Sequence, residues 1–192
     1  MLGLINRSIQ NFLTDTHGAE VWHHVASRLG LPPAGFEPML QYDDAQTLSL
    51  IEAACTELGR SCTDLLEDLG TYLATREPVR RLLRYGGCDY TDFLNTLEDL
   101  HDRARMALAD LDLPELSLST SGAGEYRLMV VGNLSGWATV FAGILRAMAD
   151  DYGVLALIEP EETGESVTIR LLDSYHAQAR NFALSRAAEG SL

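Results

Sequence analysis

The sequence predicts an α+β fold, in which an N-terminal helical half is followed by a small antiparallel sheet with a packed helix. Two observations support this prediction. Up to about residue 110, apolar residues recur at steps of three and four, which is the spacing of one helix face. After Pro114 the pattern changes to strand, strand, helix, strand, strand, and this segregation of helices from strands is typical of α+β domains.

The helical half contains segments bounded by capping or helix-breaking residues: 2–13, 17–29, 43–59, 61–76, 78–84 and 90–109. Asp43 and Ser61 are predicted N-caps, because their side chains can accept a backbone N–H of the first turn. Gly59 ends the third segment, and Gly86-Gly87 closes the fifth. The last segment is predicted as one long helix.

The second half contains two predicted strand pairs separated by a helix. "ELSLSTS" and "EYRLMVVGN" alternate or run apolar on either side of the hairpin turn "SGAGE". The helix "GWATVFAGILRAMADDYG" follows, and "VLALIEP" and "SVTIRLLD" form the second pair around "EETGE". We expect residues 176–192 to form a weak helix or a loose tail.

The composition limits the partners of the chain. Its 192 residues carry 28 acidic and 14 basic side chains, for a formal net charge of −14. Such a surface repels nucleic acid and anionic membrane, so we expect neither as a partner. No apolar run approaches the roughly 18 residues of a membrane span, and the first residues do not resemble a signal peptide. These features predict a cytoplasmic protein.

The arginines of "TREPVRRLLRYGG" are interpreted as a solvated face paired with nearby acids, and not as an anion site.

Several kinds of chemistry are not expected. Cys55, Cys62 and Cys88 form no CxxC or Cys/His spacing, so we expect them to be reduced, small apolar residues and not a zinc site. The sequence has no GxGxxG, Gly-rich phosphate loop, HExxH or GxSxG motif, which favours a protein that is not an enzyme. The following histidines are expected at the surface: His17, His23, His24 and His176.

The stretch "DFLNTLEDLHDRARMALADLDLP" (92–114) places one further histidine on an apolar helix face. That face is formed by residues at steps of three and four: Phe93, Leu97, Leu100, Ala104 and Leu108. His101 lies within it. A histidine in this position is more often a hydrogen-bonded core residue than a ligand. As a ligand it has no second His or Cys at matching spacing, which favours a metal that brings its other ligands. Heme iron held by one proximal histidine is such a case.

Five features recur in the order and at the separations of a known family: "MLGLINRSIQNFL", Trp22, "DDAQTLSLIEAACTELG", "DLLEDLGTYL" and "DFLNTLEDLH…P". They resemble the heme–nitric oxide/oxygen binding (H-NOX) family, which is related to the sensor domain of soluble guanylate cyclase. The resemblance covers about residues 1–175. It implies a single domain with a distal-side helical part at 1–60, a proximal helix and sheet part at 61–175, and a tail at 176–192.

The resemblance implies heme b as the cofactor and His101 as its proximal iron ligand. It implies cofactor contacts at five further positions: Ile5, Ile9, Pro114, Thr139 and Gly143. Pro114 corresponds to the proline that presses the heme out of plane. Thr139 stands where oxygen-binding members have a tyrosine, and it is too short to hydrogen-bond bound oxygen easily. The resemblance therefore implies a preference for NO and CO over O₂.

The chain departs from the family at the heme propionates. A Tyr-x-Ser-x-Arg motif clamps these carboxylates in the family, and Val130, Gly132 and Leu134 stand at its positions. Each lost charge-assisted bond is worth about 1.5–3 kcal/mol. Arg127 and the arginines at 80, 81 and 84 are candidates to replace the motif.

Two functions remain open from the sequence. The first is a heme-based NO sensor that regulates a separate histidine kinase or cyclic-dinucleotide enzyme when its proximal histidine is released. The second is a heme-free relative, a binding or interaction module whose pocket is filled by side chains or takes another apolar ligand. Val130, Gly132 and Leu134 favour the second function, whereas His101 and Pro114 favour the first.

Overall fold

The helices occupy the N-terminal half and all strands follow them, with one helix between the two strand pairs. The structure, a computed structural model, describes residues 1–85, 87–108, 110–111, 113–161 and 164–172. Within these ranges the helices are α1 (Gly3–His17), α2 (Ala19–Arg28), α3 (Asp44–Leu58), α4 (Cys62–Thr75), α5 (Glu77–Arg84), α6 (Tyr90–Asn95), α7 (Leu100–Ala107) and α8 (Trp137–Tyr152). The strands are β1 (Glu115–Gly122), β2 (Glu125–Val131), β3 (Ala156–Pro160) and β4 (Ser166–Leu171). The predicted α+β fold is confirmed. The tail predicted at 176–192, with His176, lies outside the described residues.

Two of the predicted caps are formed as expected. The Asp43 carboxylate accepts the backbone N–H of Ala45 at the start of α3, and Ser61 Oγ accepts that of Asp64 at the start of α4. Both bonds satisfy a first-turn donor that has no partner inside the helix. These two helix starts are therefore encoded in the local sequence.

The single long helix predicted over 90–109 is wrong, because the chain forms two short helices there. α6 ends at Asn95, and Leu97 and Leu100 donate to carbonyls only three residues earlier. Thr96 Oγ1 donates to the Phe93 carbonyl, and such a side-chain bond competes with the helical ladder. The Arg103 guanidinium donates to the Thr96 carbonyl and satisfies it from the next helix. The break leaves the apolar face intact, since Phe93, Leu97, Leu100 and Ala104 are all buried.

The four strands form one antiparallel sheet in the order β1-β2-β4-β3. One face is apolar, and its buried residues come from all four strands: Leu116, Leu128, Val130, Val167, Ile169 and Ile158. α8 packs on this sheet and on α4, so it lies between the sheet and the helical half. Its residues 138–145 are all buried.

The closest helix contact is the crossing of α4 and α8. A Cβ added to Gly143 would collide with the Glu67 carbonyl of α4, and one added to Gly70 would collide with the Val140 carbonyl of α8. The absence of these two side chains lets the backbones touch. The crossing therefore requires glycine on both helices.

The prediction that all three cysteines are reduced is wrong for two of them. Cys55 and Cys62 form a disulfide, whereas Cys88 is free and exposed. The turn between α3 and α4 brings the Cα atoms of the pair to 5.5 Å, which is within the range that a disulfide spans. Gly59 makes this turn with a φ of 61°, a conformation that suits glycine.

The arginine cluster forms a solvated, paired face, as predicted. Arg76 pairs with Asp15, Arg80 with Asp151 and Arg81 with Glu77. The Arg84 guanidinium lies over the Tyr152 ring.

Among the residues that the structure describes, no helix has both the length and the apolar character that crossing a membrane requires.

Candidate functional site

His101 is the second residue of α7 and is half-buried. Its Nδ1 atom lies 2.7 Å from the carbonyl oxygen of Leu113. A carbonyl oxygen only accepts, so Nδ1 carries the proton and the neutral ring has its lone pair on Nε2. This is the arrangement by which a backbone carbonyl orients a metal-binding histidine.

The His101 ring borders a cleft of about 270 Å³, which we call the histidine cleft. Its lining combines polar and apolar groups: Met1, His101, Leu113, Pro114, Glu115, Val131, Gly132, Asn133 and Trp137. Pro114, one of the predicted cofactor contacts, is buried at its wall. The structure thus brings His101 and Pro114 together, with Gly132 beside them.

A second cavity, of about 190 Å³, lies between the helical half and α8, and we call it the apolar cavity. Its walls come from α1, α3, α4, α5, the start of α7 and α8. The lining is almost entirely aliphatic or aromatic: Leu4, Ile5, Ser8, Ile9, Thr47, Ile51, Leu66, Leu69, Leu73, Val79, Leu82, Leu83, Leu100, Leu111, Leu113, Leu134, Ser135, Gly136, Trp137, Val140, Phe141 and Ile144. The predicted distal residues Ile5 and Ile9 are both part of it.

Two of the hydroxyl groups in this lining are already used as donors. Ser8 Oγ donates to the Leu4 carbonyl at 2.9 Å, within its own helix. Thr47 Oγ1 donates to Oδ1 of the buried Asn6 at 2.7 Å. Neither proton is therefore available to a molecule in the cavity without breaking an internal bond.

The two spaces share Leu113 and Trp137, whereas His101 belongs only to the cleft. A Cβ added to Gly132 would lie 2.8 Å from Trp137 Cδ1 and 2.9 Å from Pro114 Cβ. The indole therefore packs over Gly132 in space that any other residue at 132 would occupy. Sequence reasoning missed Trp137, although a bulky aromatic residue directly after Ser135 and Gly136, at the start of a predicted helix, was an available signal.

Two residues predicted to contact the cofactor lie elsewhere. Thr139 is buried but is not part of either lining, and Gly143 faces the backbone of α4. The helical period explains this placement. Positions 137, 140, 141 and 144 of α8 face the apolar cavity, and 139 and 143 lie on other parts of the helix surface.

The three altered positions do not converge on one point. Val130 is buried under the sheet, Gly132 lines the histidine cleft, and Leu134 lines the apolar cavity. The arginines considered as replacements are engaged elsewhere. Arg127 pairs with Glu161, and the arginines at 80, 81 and 84 make the contacts described above with Asp151, Glu77 and Tyr152.

The fold and the two spaces define a helix-and-sheet domain built around an interior ligand site. A family model described as Haem-NO-binding matches residues 2–159, so the chain belongs to the heme–NO-binding (H-NOX) family. H-NOX domains are sensor domains and not catalytic ones, which confirms the prediction that the chain is not an enzyme.

One curated relative is a soluble guanylate cyclase of Caenorhabditis elegans, gcy-31, which is 26% identical over 117 residues. The match covers 59% of this chain and 17% of the relative, so the chain corresponds to a small part of that enzyme.

Solved structures share the fold at low sequence identity. An H-NOX protein from S. oneidensis in its Fe(II)NO state is 16% identical with a TM-score of 0.74, and the match covers 90% of this chain and 100% of that one. An oxygen-binding H-NOX domain related to soluble guanylate cyclases, solved as its oxygen complex, is 16% identical with a TM-score of 0.69, over 90% of this chain and 96% of that one.

The residues of this chain fit the metal and ring of the heme that the family binds. His101 offers a basic Nε2 whose orientation is fixed by the Leu113 carbonyl, and the apolar cavity matches a hydrophobic ring. The heme carboxylates find no arginine in the described lining of either space. The fit is therefore good at the metal and the ring, and the described lining residues offer the carboxylates no ion-pair partner.

Proposed function

We propose that this chain is a heme-based sensor domain for NO, with His101 as the iron ligand. The hydrogen bond from His101 Nδ1 to the Leu113 carbonyl is the observation that carries the proposal, because in the neutral ring it places the proton on Nδ1 and leaves the lone pair of Nε2 for a metal. Pro114, which follows Leu113 directly, is buried in the wall of the same cleft. Family membership supports heme b as the group bound.

Heme, if bound, would be held by His101 and would supply an iron centre that takes up diatomic gases. The protein residues determine which gas is favoured. On the α1 and α3 side of the apolar cavity, Ile5 and Ile9 carry no hydrogen-bond donor, and Ser8 and Thr47 use their hydroxyl protons internally. Bound O₂ needs a hydrogen-bond donor for stability more than NO or CO does. We therefore expect NO and CO to be preferred.

We further propose that the signal leaves the site through α7. This helix has only eight residues, and His101 and Arg103 tie it to its surroundings. The Arg103 guanidinium donates to the carbonyls of Leu82 and Thr96, and His101 holds the Leu113 carbonyl. Release of the imidazole from a ligand would free α7 to shift on these tethers.

The receiver of that shift is proposed to be a separate signalling protein in the cytoplasm, a histidine kinase or a cyclic-dinucleotide enzyme. Membership of the heme–NO-binding family supports a signalling role for the described residues. The net charge of −14 favours a protein partner over nucleic acid or an anionic membrane.

Absorption spectroscopy tests the proposal. Purified chain supplied with hemin and dithionite should show a Soret band that shifts when NO is added. His101→Gly should lose the band at equal heme concentration, and added free imidazole should restore it. His23→Ala, at an exposed position on α2, is the matched control and should behave like the parent. A protein that stays colourless with hemin, or a His101→Gly variant with an unchanged spectrum, would contradict the proposal.

A second function is favoured by the separation of the two spaces. The apolar cavity shares only Leu113 and Trp137 with the lining of the histidine cleft and does not include His101, and it is large enough for a small apolar molecule without any metal. On this alternative the chain is a heme-free binding module. An apolar fluorescent probe that binds the colourless protein, is not displaced by hemin, and binds equally well to His101→Gly would support it.

A further inference from the structure

The wall between the histidine cleft and the apolar cavity is built around one indole. Trp137 stands at the first position of α8 and borders both spaces. Its ring fills the volume above Gly132 and beside Pro114, at distances that leave no room for a side chain at 132. The part of the site nearest the solvent-exposed Gly132 is therefore an aromatic surface.

Among the residues that the structure describes, none gives this region a free positive charge. The described lining residues include no arginine, and the sequence contains no lysine. The amino group of Met1, which borders the cleft, is paired with Asp44 at 2.8 Å and donates to the Tyr42 carbonyl. Glu115 adds a negative charge to the cleft. A carboxylate held in this region would be desolvated without an ion-pair partner, which is strongly unfavourable.

We infer that the site recognises a metalloporphyrin by its iron and its apolar ring and does not bind its carboxylates. Trp137 is the residue that contacts the edge of the ring. The carboxylates remain in water beyond Gly132. The ligand class is thus a metal tetrapyrrole whose acidic groups can be neutralised without loss of affinity. This inference rests on the proposed function, and it adds which parts of the ligand are recognised.

The inference predicts an unusual affinity pattern. A site that pairs the carboxylates would bind ferric heme far better than its dimethyl ester, and it would weaken with salt. This site should bind both compounds with dissociation constants within about threefold of each other. Raising NaCl from about 0.05 to 1 M should not weaken the binding of free heme, because no ion pair to its carboxylates is screened and their repulsion from the acidic protein is reduced.

The test is a titration of the full chain with ferric heme and with its dimethyl ester, followed by absorbance and by tryptophan fluorescence. Equal affinities that both depend on His101 support the inference. An ester that binds more than about tenfold more weakly would show that the carboxylates are held, and it would overturn this inference but not the proposed function. If neither compound binds in a His101-dependent way, both are wrong.

Two variants sharpen the result. Trp137→Leu should weaken the binding of both compounds by the same factor, about tenfold, since apolar contact is lost in each case. Val131→Arg adds a cation at the exposed rim of the histidine cleft, next to Gly132, and should favour free heme over the ester by about tenfold. A Trp137→Leu variant that loses affinity for free heme only would overturn the role given to the indole. Equal binding of both compounds to Val131→Arg would place the carboxylates away from residue 131 and would contradict their path past Gly132.

Discussion

Asn6 is the most completely buried polar side chain beside the apolar cavity. Its Oδ1 accepts the hydroxyl of Thr47, while its Nδ2 has no hydrogen-bond partner within the described part of the chain. Burying an unpaired amide group lowers stability, so the hydrogen bond from Thr47 is important for stabilising the buried side chain of Asn6. Asn6 and Thr47 thereby link α1 to α3 beneath Ile5 and Ile9.

Replacing Thr47 by valine should therefore destabilise the fold. Valine keeps the shape but leaves Oδ1 of Asn6 unpaired as well, and the free energy of unfolding should fall by about 1–3 kcal/mol. Urea denaturation followed by circular dichroism measures this change. Thr56→Val is the matched control, because its hydroxyl donates to Glu52 in its own helix at an exposed position. Its effect should stay within about 0.5 kcal/mol. Equal losses in the two variants would contradict the interpretation.

At the scale of secondary-structure elements, the α4–α8 crossing links the helical half to the sheet. Gly70 and Gly143 let the two backbones touch, and the neighbouring ion pair between Arg146 and Glu67 joins the same two helices. The crossing sets the position of the α8 face that lines the apolar cavity. Gly143 thus acts on the site through helix packing, which is a different role from the cofactor contact that the family resemblance implied.

Gly143→Ala separates helix propensity from packing. Propensity alone would stabilise the helix by about 1 kcal/mol, whereas the clash with the Glu67 carbonyl should destabilise the protein by about 1–3 kcal/mol. We expect the clash to dominate, since its partner is backbone and not a flexible side chain. Asp150→Ala, on an exposed position of α8, should change stability by less than about 0.5 kcal/mol. Thermal unfolding of both variants measures the difference, and a stabilised Gly143→Ala protein would refute the close contact.

The disulfide joins two elements that both line the apolar cavity, α3 and α4. It closes a short loop, and the chain-entropy model assigns such a bridge about 2–3 kcal/mol. The double variant Cys55→Ala, Cys62→Ala should lose about this much stability. Adding a reductant should lower the free energy of unfolding of the parent protein but leave that of the double variant unchanged. Cys88→Ala is the control, because Cys88 is free and exposed. A parent protein indifferent to reductant would contradict the bridge.

At the scale of the whole molecule, the net charge of −14 works against the compact state. Salt should therefore stabilise the protein by screening repulsion between like charges. Raising NaCl from about 0.02 to 0.15 M shortens the Debye length from more than 20 Å to about 8 Å. The unfolding midpoint should rise by about 2–4 °C, which corresponds to roughly 1 kcal/mol for a chain of this size. Differential scanning calorimetry measures the shift, and a midpoint that falls with salt would mean that the ion pairs outweigh the repulsion.

Much of the fold was predictable because its signals are local. The caps at Asp43 and Ser61, the stop at Gly59 and the alternation of the strands each depend on residues close together in the chain. The break at Thr96 was not predicted, because the apolar face continues unbroken through it. Only the side-chain bond of Thr96 and the approach of Arg103 distinguish two helices from one.

The sequence by itself determined the order of helices and strands, the buried face that carries His101, and membership of a recognisable family. The tertiary structure decided which distant groups meet. It pointed His101 at the Leu113 carbonyl, moved Thr139 and Gly143 away from the cavity, joined Cys55 to Cys62, and set Trp137 over Gly132. Helix periodicity and capping act between neighbours in the chain, whereas these contacts depend on how separate elements cross. That crossing is fixed by packing, which no local pattern records.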